Sequence, residues 1–529
     1  MAMSAVIIFT ALSAFAIFAL VLGLVAYYAN PEEWSGLAIL VSTLCLFSAL
    51  LCVVCVPVDT YAASSGTAKE QEDVRKLYEA LFTILLVAAF VLSPLAYFFY
   101  EEGTWDETGV GCGRRCFGAM QYTVVFEFVV TVVLAFLLFL QPETDVKSFK
   151  EDEVAWVKAW ASSAKNDVNP TLRFIMACLA CAGIVPWLSF TAFGIVRMPA
   201  QLLKPPEEEV DLASANVSER RGLLGDYGEG SASDEEEQEH AYNEDYFTRA
   251  EEAAESGTGR LASAYEDWRL AAENFTEPEV LQEVHRSTLR WLLLRPVQLV
   301  LGSVGALLSL VIWVSIAVAT VDALLHGEGI SKGYVLQQPK LSQYNAADRL
   351  LLLACGAKLD SFLLAVLGVH CFCCTVWAAG RLGVRCLCLR CLGETGALRP
   401  RGSSPQALLF GAVLCGLASL FLLFQLPGAL APRYASFGCS AEAQCVIGLD
   451  EDHDGKADCN LTQLGSEVLA TRLGVSLAGC AFTWVDAAFV MLVPVLFGLH
   501  WAGITITTRA SRSGGANRGG ERHRQSGNR

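Results

Sequence analysis

Apolar residues in this chain fall into blocks of about 20, and the polar residues collect between these blocks. A helix of about 20 apolar residues crosses the ~30 Å hydrocarbon core of a bilayer. Backbone groups in lipid must be satisfied within the protein, so each block is predicted to be a helix. The pattern predicts an all-α, polytopic transmembrane helical bundle with about nine spans, at residues 4–28, 35–57, 78–100, 118–140, 171–196, 298–325, 359–380, 406–428 and 480–506.

Basic residues near the span ends predict the orientation, because cytosolic loops are enriched in Lys and Arg. Arginines cluster in the loop between spans seven and eight, in the segment after span nine, and just before span six. These segments can all lie in the cytosol. With nine spans, this arrangement predicts a cytosolic C-terminus and a lumenal N-terminus.

The spans divide the chain into four expected regions. Residues 1–204 hold spans one to five, and residues 205–290 form an acidic cytosolic loop. Residues 291–508 hold spans six to nine with a lumenal loop at 431–479, and residues 509–529 form a basic cytosolic tail. The first part of the acidic loop, residues 205–240, is expected to be disordered. Apolar positions at helical spacing then predict an amphipathic helix in its second half.

The distribution of charge bears on the kind of partner that the chain binds. The chain has 18% charged residues and a net charge of −17, but residues 205–285 alone hold 23 acidic and 5 basic residues. The rest of the chain is therefore near neutral. Such a charge distribution does not indicate a nucleic-acid partner, and the surroundings expected for the spans are membrane lipid.

The acidic loop contains a candidate sorting signal. Glu219 stands four residues before the pair Leu223 and Leu224. Two exposed leucines can enter a pocket of a clathrin adaptor, while the acidic residue meets a basic surface. Signals of this kind act as addresses rather than anchors. They predict delivery to lysosomes or endosomes.

The expected lumenal loop carries three further candidates. Asn460 begins an N-glycosylation sequon with Leu461 and Thr462. The loop also contains three cysteines, Cys439, Cys445 and Cys459. Any disulfide among them requires an oxidising compartment. Because three is an odd number, one thiol stays free or pairs with a cysteine elsewhere in the chain. Three aspartates match the first half of a calcium-binding loop, but Leu461 replaces its final glutamate, which makes a solvated turn the better interpretation: Asp450, Asp452 and Asp454.

Ionisable residues within or beside the spans are candidates for function, because burying a charge in lipid is costly. They are Asp59, Glu127, Asp322, Asp360, His370, Asp486 and His500. Glu127 is the deepest carboxylate, and could be protonated, paired with His370 or His500, or placed in a cavity. Asp59, Asp322 and Asp360 lie near span ends, where they could reach water. Glu127, Asp59 and Asp360 are the intramembrane candidates.

The sequence has no phosphate-binding loop of the G-x-x-x-x-G-K-[ST] type, no H-E-x-x-H and no G-x-S-x-G. We therefore expect a protein that is not an enzyme and that uses no catalytic cofactor. Four prolines within or near the spans predict helix kinks: Pro94, Pro186, Pro427 and Pro494.

Several short segments, in order and at similar spacing, resemble the family of limb-region and lipocalin-receptor membrane proteins. The segments are Pro57-Val58-Asp59, Tyr97-Phe98-Phe99-Tyr100-Glu101-Glu102, Thr191-Ala192-Phe193-Gly194, Pro405-Gln406-Ala407-Leu408-Leu409-Phe410 and Leu430-Ala431-Pro432-Arg433-Tyr434. The resemblance implies nine spans with a lumenal N-terminus and a lysosomal membrane location. Transit through the ER and plasma membrane is one route by which the chain could reach it.

The resemblance also implies a function in moving cobalamin (vitamin B12) from the lysosome to the cytosol. The chain would act as a transporter or as the escort of an ABC-type exporter, with cobalamin as cargo. The alternative is an endocytic cell-surface receptor for a lipocalin-like ligand, which could use the Leu223-Leu224 signal for internalisation. A third interpretation is an ion or proton-coupled channel that uses Glu127.

Overall fold

The computed structural model describes residues 2–31, 35–65, 68–105, 112–139, 170–203, 278–327, 329–330, 334, 341–383, 398, 400–439, 461–474 and 476–502. Within these ranges the chain is almost entirely helical and contains no strand. The α-helices are α1 Ala2–Tyr28, α2 Gly36–Val54, α3 Val56–Ser65, α4 Ala68–Leu86, α5 Ser93–Trp105, α6 Cys112–Phe139, α7 Pro170–Pro186, α8 Ala192–Leu203, α9 Pro278–His326, α10 Ala346–Cys355, α11 Asp360–Leu382, α12 Pro405–Gln425, α13 Pro432–Phe437, α14 Gln463–Gly474 and α15 Ser476–Trp501.

Nine helical segments in the described residues are long and apolar enough to cross a membrane, as the sequence predicted. They are Ala11–Tyr28, Gly36–Ala63, Lys69–Glu102, Gly113–Val133, Ile175–Leu203, Arg295–His326, Asp360–Leu382, Pro405–Leu430 and Ala478–Trp501. This confirms the all-α bundle. Which face of the membrane each end meets remains a prediction.

Several helices extend beyond the predicted spans. Helix α9 begins at Pro278 and has 49 residues, so part of the expected loop 205–290 is helical and continuous with span six. The expected loop 431–479 contains α13 and α14. Helices α3 and α4 occupy most of the connection between spans two and three. The blocks of apolar residues reveal only the part of each helix that lies in lipid. Helical turns outside lipid are polar, so they do not belong to these blocks and the predicted spans end before the helices do.

In the part of the chain that the structure describes, three spans are interrupted by π-helical turns, and each turn adjoins a proline at which a kink was predicted. The turns are Val87–Leu92 before Pro94, Trp187–Thr191 after Pro186, and Leu426–Leu430 around Pro427. Proline has no N–H and its ring collides with the carbonyl four residues earlier. A wider turn accommodates this clash, and such turns are frequent at functional sites.

Glycines permit very close approach where spans five, seven and eight meet. A Cβ atom on Gly194 would lie 2.1 Å from the carbonyl oxygen of Cys374, and one on Gly183 would lie 2.2 Å from that of Leu417. Helices in a membrane associate through such close contacts between small residues, because the hydrophobic effect does not drive association between helices that are already in lipid. Nearby, Trp187 is buried and its ring lies 5.8 Å from that of Phe489.

The structure divides into two compact units, residues 1–198 with 305–529 and residues 199–304. Within the second unit, Arg295 donates hydrogen bonds to the carbonyl oxygens of Leu202 at 3.3 Å and Leu203 at 2.9 Å. These carbonyls end a helix and have no partner inside it, so the arginine satisfies them. The candidate site described below lies in the first unit.

Candidate functional site at the disulfide end of the bundle

Asp59 anchors the N-terminus of α14 to the end of span two. Its side chain is 1% exposed, and it accepts hydrogen bonds from the backbone N–H groups of Gln463 at 2.9 Å and Leu464 at 2.8 Å. The first N–H groups of a helix lack partners within the helix, and a carboxylate there also meets the positive end of the helix dipole. Thr462 caps the same helix by accepting from Gly465 N–H.

Asp348 makes the same kind of contact with α13. It is 1% exposed, and its two oxygens accept hydrogen bonds from the N–H groups of Tyr434 at 2.9 Å and Arg433 at 3.2 Å. Helix α10, which carries Asp348, begins at Asn345, whose side chain accepts from the Asp348 N–H. The amide of Asn345 donates to carbonyls of Ser315 and Ala429, so α10 is tied to spans six and eight.

Asp360 and a disulfide belong to the same end of the helical bundle as Asp59 and Asp348, and we call it the disulfide end. The hydroxyl of Tyr434 donates to Asp360 at 2.5 Å. Cys355 forms a disulfide with Cys439, across 84 residues of sequence. The three aspartates and the disulfide together hold α10, α13 and α14 against the ends of spans two, seven and eight.

These contacts correct two expectations. Asp59 and Asp322 lie near span ends where they could reach water, but in the structure each is only 1% exposed. Asp322 accepts from the N–H of Leu341 at 3.0 Å and lies 2.8 Å from a ring nitrogen of His326. Because the N–H donors come from segments distant in sequence, hydrophobicity along the chain could not reveal them. Cys439, one of the three expected cysteines, pairs with Cys355, which the sequence analysis missed.

Burial raises the pKa of Asp348 from 3.8 to about 7, while the N–H groups of Tyr434 and Arg433 and the Arg433 charge act in the opposite direction. A carboxyl whose pKa is raised on folding keeps its proton in the folded state at pH values where the unfolded state has lost it. Folding stability should therefore rise as pH falls from about 7 towards 4. The shift corresponds to on the order of 4 kcal/mol.

Asp348→Asn should abolish most of this pH dependence, because asparagine resembles the protonated acid. We expect the melting temperature of the purified wild-type chain to rise between pH 8 and pH 5, and that of the variant to rise less because the contribution of Asp348 is absent. A wild-type melting temperature that rises towards pH 8 would show that the folded state instead favours the carboxylate.

A small cleft with a cavity volume of about 30 Å³ lies beside α14. Side chains from α4, α7, α12 and α14 line it: Arg75, Tyr78, Glu79, Phe82, Met176, Phe424, Gln463, Leu464, Glu467 and Thr471. The lining combines aromatic rings with polar and charged groups. Because Asp59 binds the N–H groups of Gln463 and Leu464, it fixes one wall of the cleft.

Glu127 does not meet the predicted partner His370. The His370 ring nitrogen instead lies 2.9 Å from the hydroxyl of Ser309. One carboxyl oxygen of Glu127, Oε1, is buried and has no hydrogen-bond partner among the described residues. The helix that carries it, α6, is largely exposed along its apolar side chains. The structure therefore does not join Glu127 to the disulfide end.

Asp360 is the one intramembrane candidate that lies near possible metal ligands. Its carboxylate approaches the sulfur atoms of Cys355 and Cys439 within 4.8 Å. Because the two sulfurs are joined, neither is a thiolate, which is the form of cysteine that binds metals. The other candidates lie outside the described residues: the sorting signal Glu219, Leu223 and Leu224, the sequon residue Asn460, and Asp450, Asp452 and Asp454.

Known proteins resemble this chain over most of its length. A protein named probable lysosomal cobalamin transporter from Dictyostelium discoideum is 26% identical and covers 89% of this chain and 90% of its own. Proteins of the same name from Nematostella vectensis and Sclerotinia sclerotiorum are 26% and 28% identical, covering 78% and 80% of this chain and 75% and 72% of their own.

No solved structure matches the chain. The family model of LMBR1-like membrane proteins matches residues 6–288, which is more than half of the chain and contains the first five spans. This match and the nine apolar helices agree with the resemblance found in the short segments. The chain belongs to the LMBR1-like family of membrane proteins.

Proposed function

We propose that this chain is a lysosomal membrane protein required for export of cobalamin from the lysosome to the cytosol. The supporting observation is the alignment with the Dictyostelium protein named probable lysosomal cobalamin transporter, which spans 89% of this chain and 90% of that one. An alignment of this extent includes nearly all of the spans and their connections. A transport role therefore fits the whole architecture rather than one local motif.

Two modes of export are compatible with the chain: transport by the chain itself, or escort of an ABC-type exporter. The sequence lacks a phosphate-binding loop, so ATP-driven transport requires a partner. The cleft beside α14 has a cavity volume of only about 30 Å³, well below the range of sites for drug-sized ligands. It is too small to enclose a whole cobalamin, which is a larger macrocycle with an appended nucleotide. This supports escort, or transport through a more open state.

The proposal includes delivery by a clathrin adaptor that recognises Glu219, Leu223 and Leu224, and glycan at Asn460 in the lumen. In this orientation the disulfide lies in the lumen, since the loops that carry Cys355 and Cys439 are both expected there. Disulfides persist in oxidising, non-cytosolic compartments. A disulfide between two cytosolic loops would be unusual, so Cys355–Cys439 supports the predicted orientation.

The test measures labelled cobalamin in lysosomal and cytosolic fractions of cells that lack the protein. We expect several-fold retention of cobalamin in lysosomes, reversed by the wild-type chain. Leu223→Ala/Leu224→Ala should fail to restore export and should accumulate at the cell surface, because the adaptor pocket loses both leucines. Leu212→Ala, in the same loop but outside the signal, is the matched control and should restore export.

An unchanged distribution of cobalamin in cells lacking the protein would contradict the proposal. The alternative, a surface receptor for a lipocalin-like ligand, would then take its place. Surface labelling of the wild-type chain separates the two, since a receptor must be present at the plasma membrane while it binds its ligand.

A further inference from the structure

The disulfide between Cys355 and Cys439 has one sulfur that reagents can reach easily. Cys439 is exposed, whereas Cys355 is half-buried. Helix α10 ends at Cys355, and Cys439 follows α13 closely, so the bond holds two helices of the disulfide end together. A thiolate breaks a disulfide by attacking one of its sulfurs, at a rate that depends on which sulfur is accessible. Attack on this bond is therefore directed at Cys439.

A carboxylate stands beside the exposed sulfur. Oδ2 of Asp360 lies 3.6 Å from Cys439 Sγ, and the carboxylate is also within 4.8 Å of Cys355 Sγ. The same Oδ2 accepts a hydrogen bond of 2.5 Å from the hydroxyl of Tyr434. Tyr434 is fully buried, and this burial, together with its bond to Asp360, raises its pKa. The hydroxyl therefore keeps its proton and holds the carboxylate against the disulfide.

Negative charge builds up at this point during reduction. A thiolate R–S⁻ forms a bond to Cys439 Sγ while the Cys355–Cys439 bond breaks, and the electron pair leaves with Cys355, whose thiolate takes a proton from water. A second thiolate then attacks the R–S sulfur of the mixed disulfide and releases Cys439. Two thiols are oxidised to R–S–S–R, and the protein disulfide is reduced to two thiols. Both steps bring a negative sulfur close to Asp360, which repels it.

A charged group elsewhere on the attacking thiol changes this balance. The Asp360 carboxylate attracts an ammonium group, which offsets the repulsion, whereas a carboxylate or sulfonate group adds to it. We propose that Cys355–Cys439 is a redox site that reacts selectively with thiols carrying a positive charge, and that Asp360 sets this selectivity. Anionic thiols leave the bond largely intact, while small aminothiols reduce it and release α10 from α13. This inference does not depend on cobalamin export.

The experiment measures the rate of disulfide reduction in the purified full-length chain, held in phosphatidylcholine nanodiscs at pH 8. The reductants are two thiols of similar size, cysteamine with an ammonium group and 2-mercaptoethanesulfonate with a sulfonate group. Each rate constant is expressed per thiolate and divided by that for a small neutral disulfide, because the two thiols differ in ionisation and nucleophilicity. Alkylation of the released thiols, followed by mass spectrometry, reports on Cys355 and Cys439 directly.

The wild-type chain should react about tenfold faster with cysteamine than with 2-mercaptoethanesulfonate after this correction. Asp360→Asn keeps the size of the side chain and removes its charge, so the preference should fall to about twofold. Greater accessibility of the sulfur would raise both rates by the same factor, so the ratio separates the charge of Asp360 from a structural effect. Tyr434→Phe keeps the charge but frees the carboxylate, and should give an intermediate ratio.

Asp73→Asn is the matched control, because it removes an exposed carboxylate on α4. It should leave both rates unchanged. Salt provides a measurement that needs no substitution, since ions screen exposed charges. Raising the ionic strength should therefore lower the wild-type ratio, and this result is available even if Asp360→Asn does not fold.

Three outcomes overturn the proposal. The first is a wild-type ratio equal to that of the neutral disulfide, and the second is an unchanged ratio in a folded Asp360→Asn. The third is a disulfide that neither thiol reduces in the folded chain, since Cys355–Cys439 would then be a structural bond only. None of these results bears on the distribution of cobalamin in cells, so this proposal and the proposed function fail on different measurements.

Discussion

Asp59→Ala should detach α14 from the end of span two and strongly destabilise the disulfide end. The substitution leaves the N–H groups of Gln463 and Leu464 without their acceptor, and Leu464 is 1% exposed. A buried donor left unsatisfied costs about 1–3 kcal/mol, so we expect a loss of about this size from the Leu464 N–H and a smaller one from the half-buried Gln463 N–H. Thermal unfolding of the purified chain, with limited proteolysis between α13 and α14, measures the effect.

Two further variants sharpen this test. Asp59→Asn keeps one acceptor oxygen, so its melting temperature should lie between those of wild type and Asp59→Ala. Asp73→Ala removes an exposed carboxylate from the neighbouring helix α4, and should change stability by less than about 0.5 kcal/mol. Equal stability of Asp59→Ala and Asp73→Ala would show that α14 does not depend on this cap.

Asp59→Ala should also alter the cleft, because Gln463 and Leu464 form part of its wall. A chain that folds but exports cobalamin poorly would connect the position of α14 with transport. Export at the wild-type level, together with a lowered melting temperature, would restrict Asp59 to stability.

Cys355→Ser should produce the second large effect, by removing the disulfide to Cys439. The bond closes a sequence separation of 84 residues, for which the chain-entropy relation gives about 4–5 kcal/mol as an upper estimate. Spans seven and eight lie within this loop, so the bond limits how far α10 and α13 can separate in the unfolded state. The melting temperature should fall, and reducing agent should lower it less in the variant than in the wild-type chain.

Thiol labelling under denaturing conditions supplies the direct observation. Wild-type chain should gain reactive thiols on reduction, and Cys355→Ser should lose the gain that comes from this pair. Cys116→Ser is the control, because Cys116 is free and exposed on α6. If reduction and Cys355→Ser both leave the melting temperature unchanged, the disulfide does not stabilise the folded chain.

Both predictions concern contacts between segments that are distant in the sequence. Asp59 meets residues 404 and 405 positions later, and Asp348 meets residues 85 and 86 positions later. Such contacts add no periodicity to the hydrophobic pattern. Sequence analysis identified Asp59 and Asp360 as unusual only because ionisable groups are rare near the ends of apolar blocks.

The sequence alone determined the nine helices, because their length and apolar composition are set locally by the thickness of the bilayer. The resemblance of short segments identified the family. These conclusions require only the local chain and its order.

The tertiary structure alone decided what the polar residues do. It showed that Asp59 and Asp348 cap α14 and α13, and that Cys355 is the partner of Cys439. Each of these depends on which helices pack side by side. That packing follows from shape and pairing between distant segments, for which a single sequence carries no periodic signal.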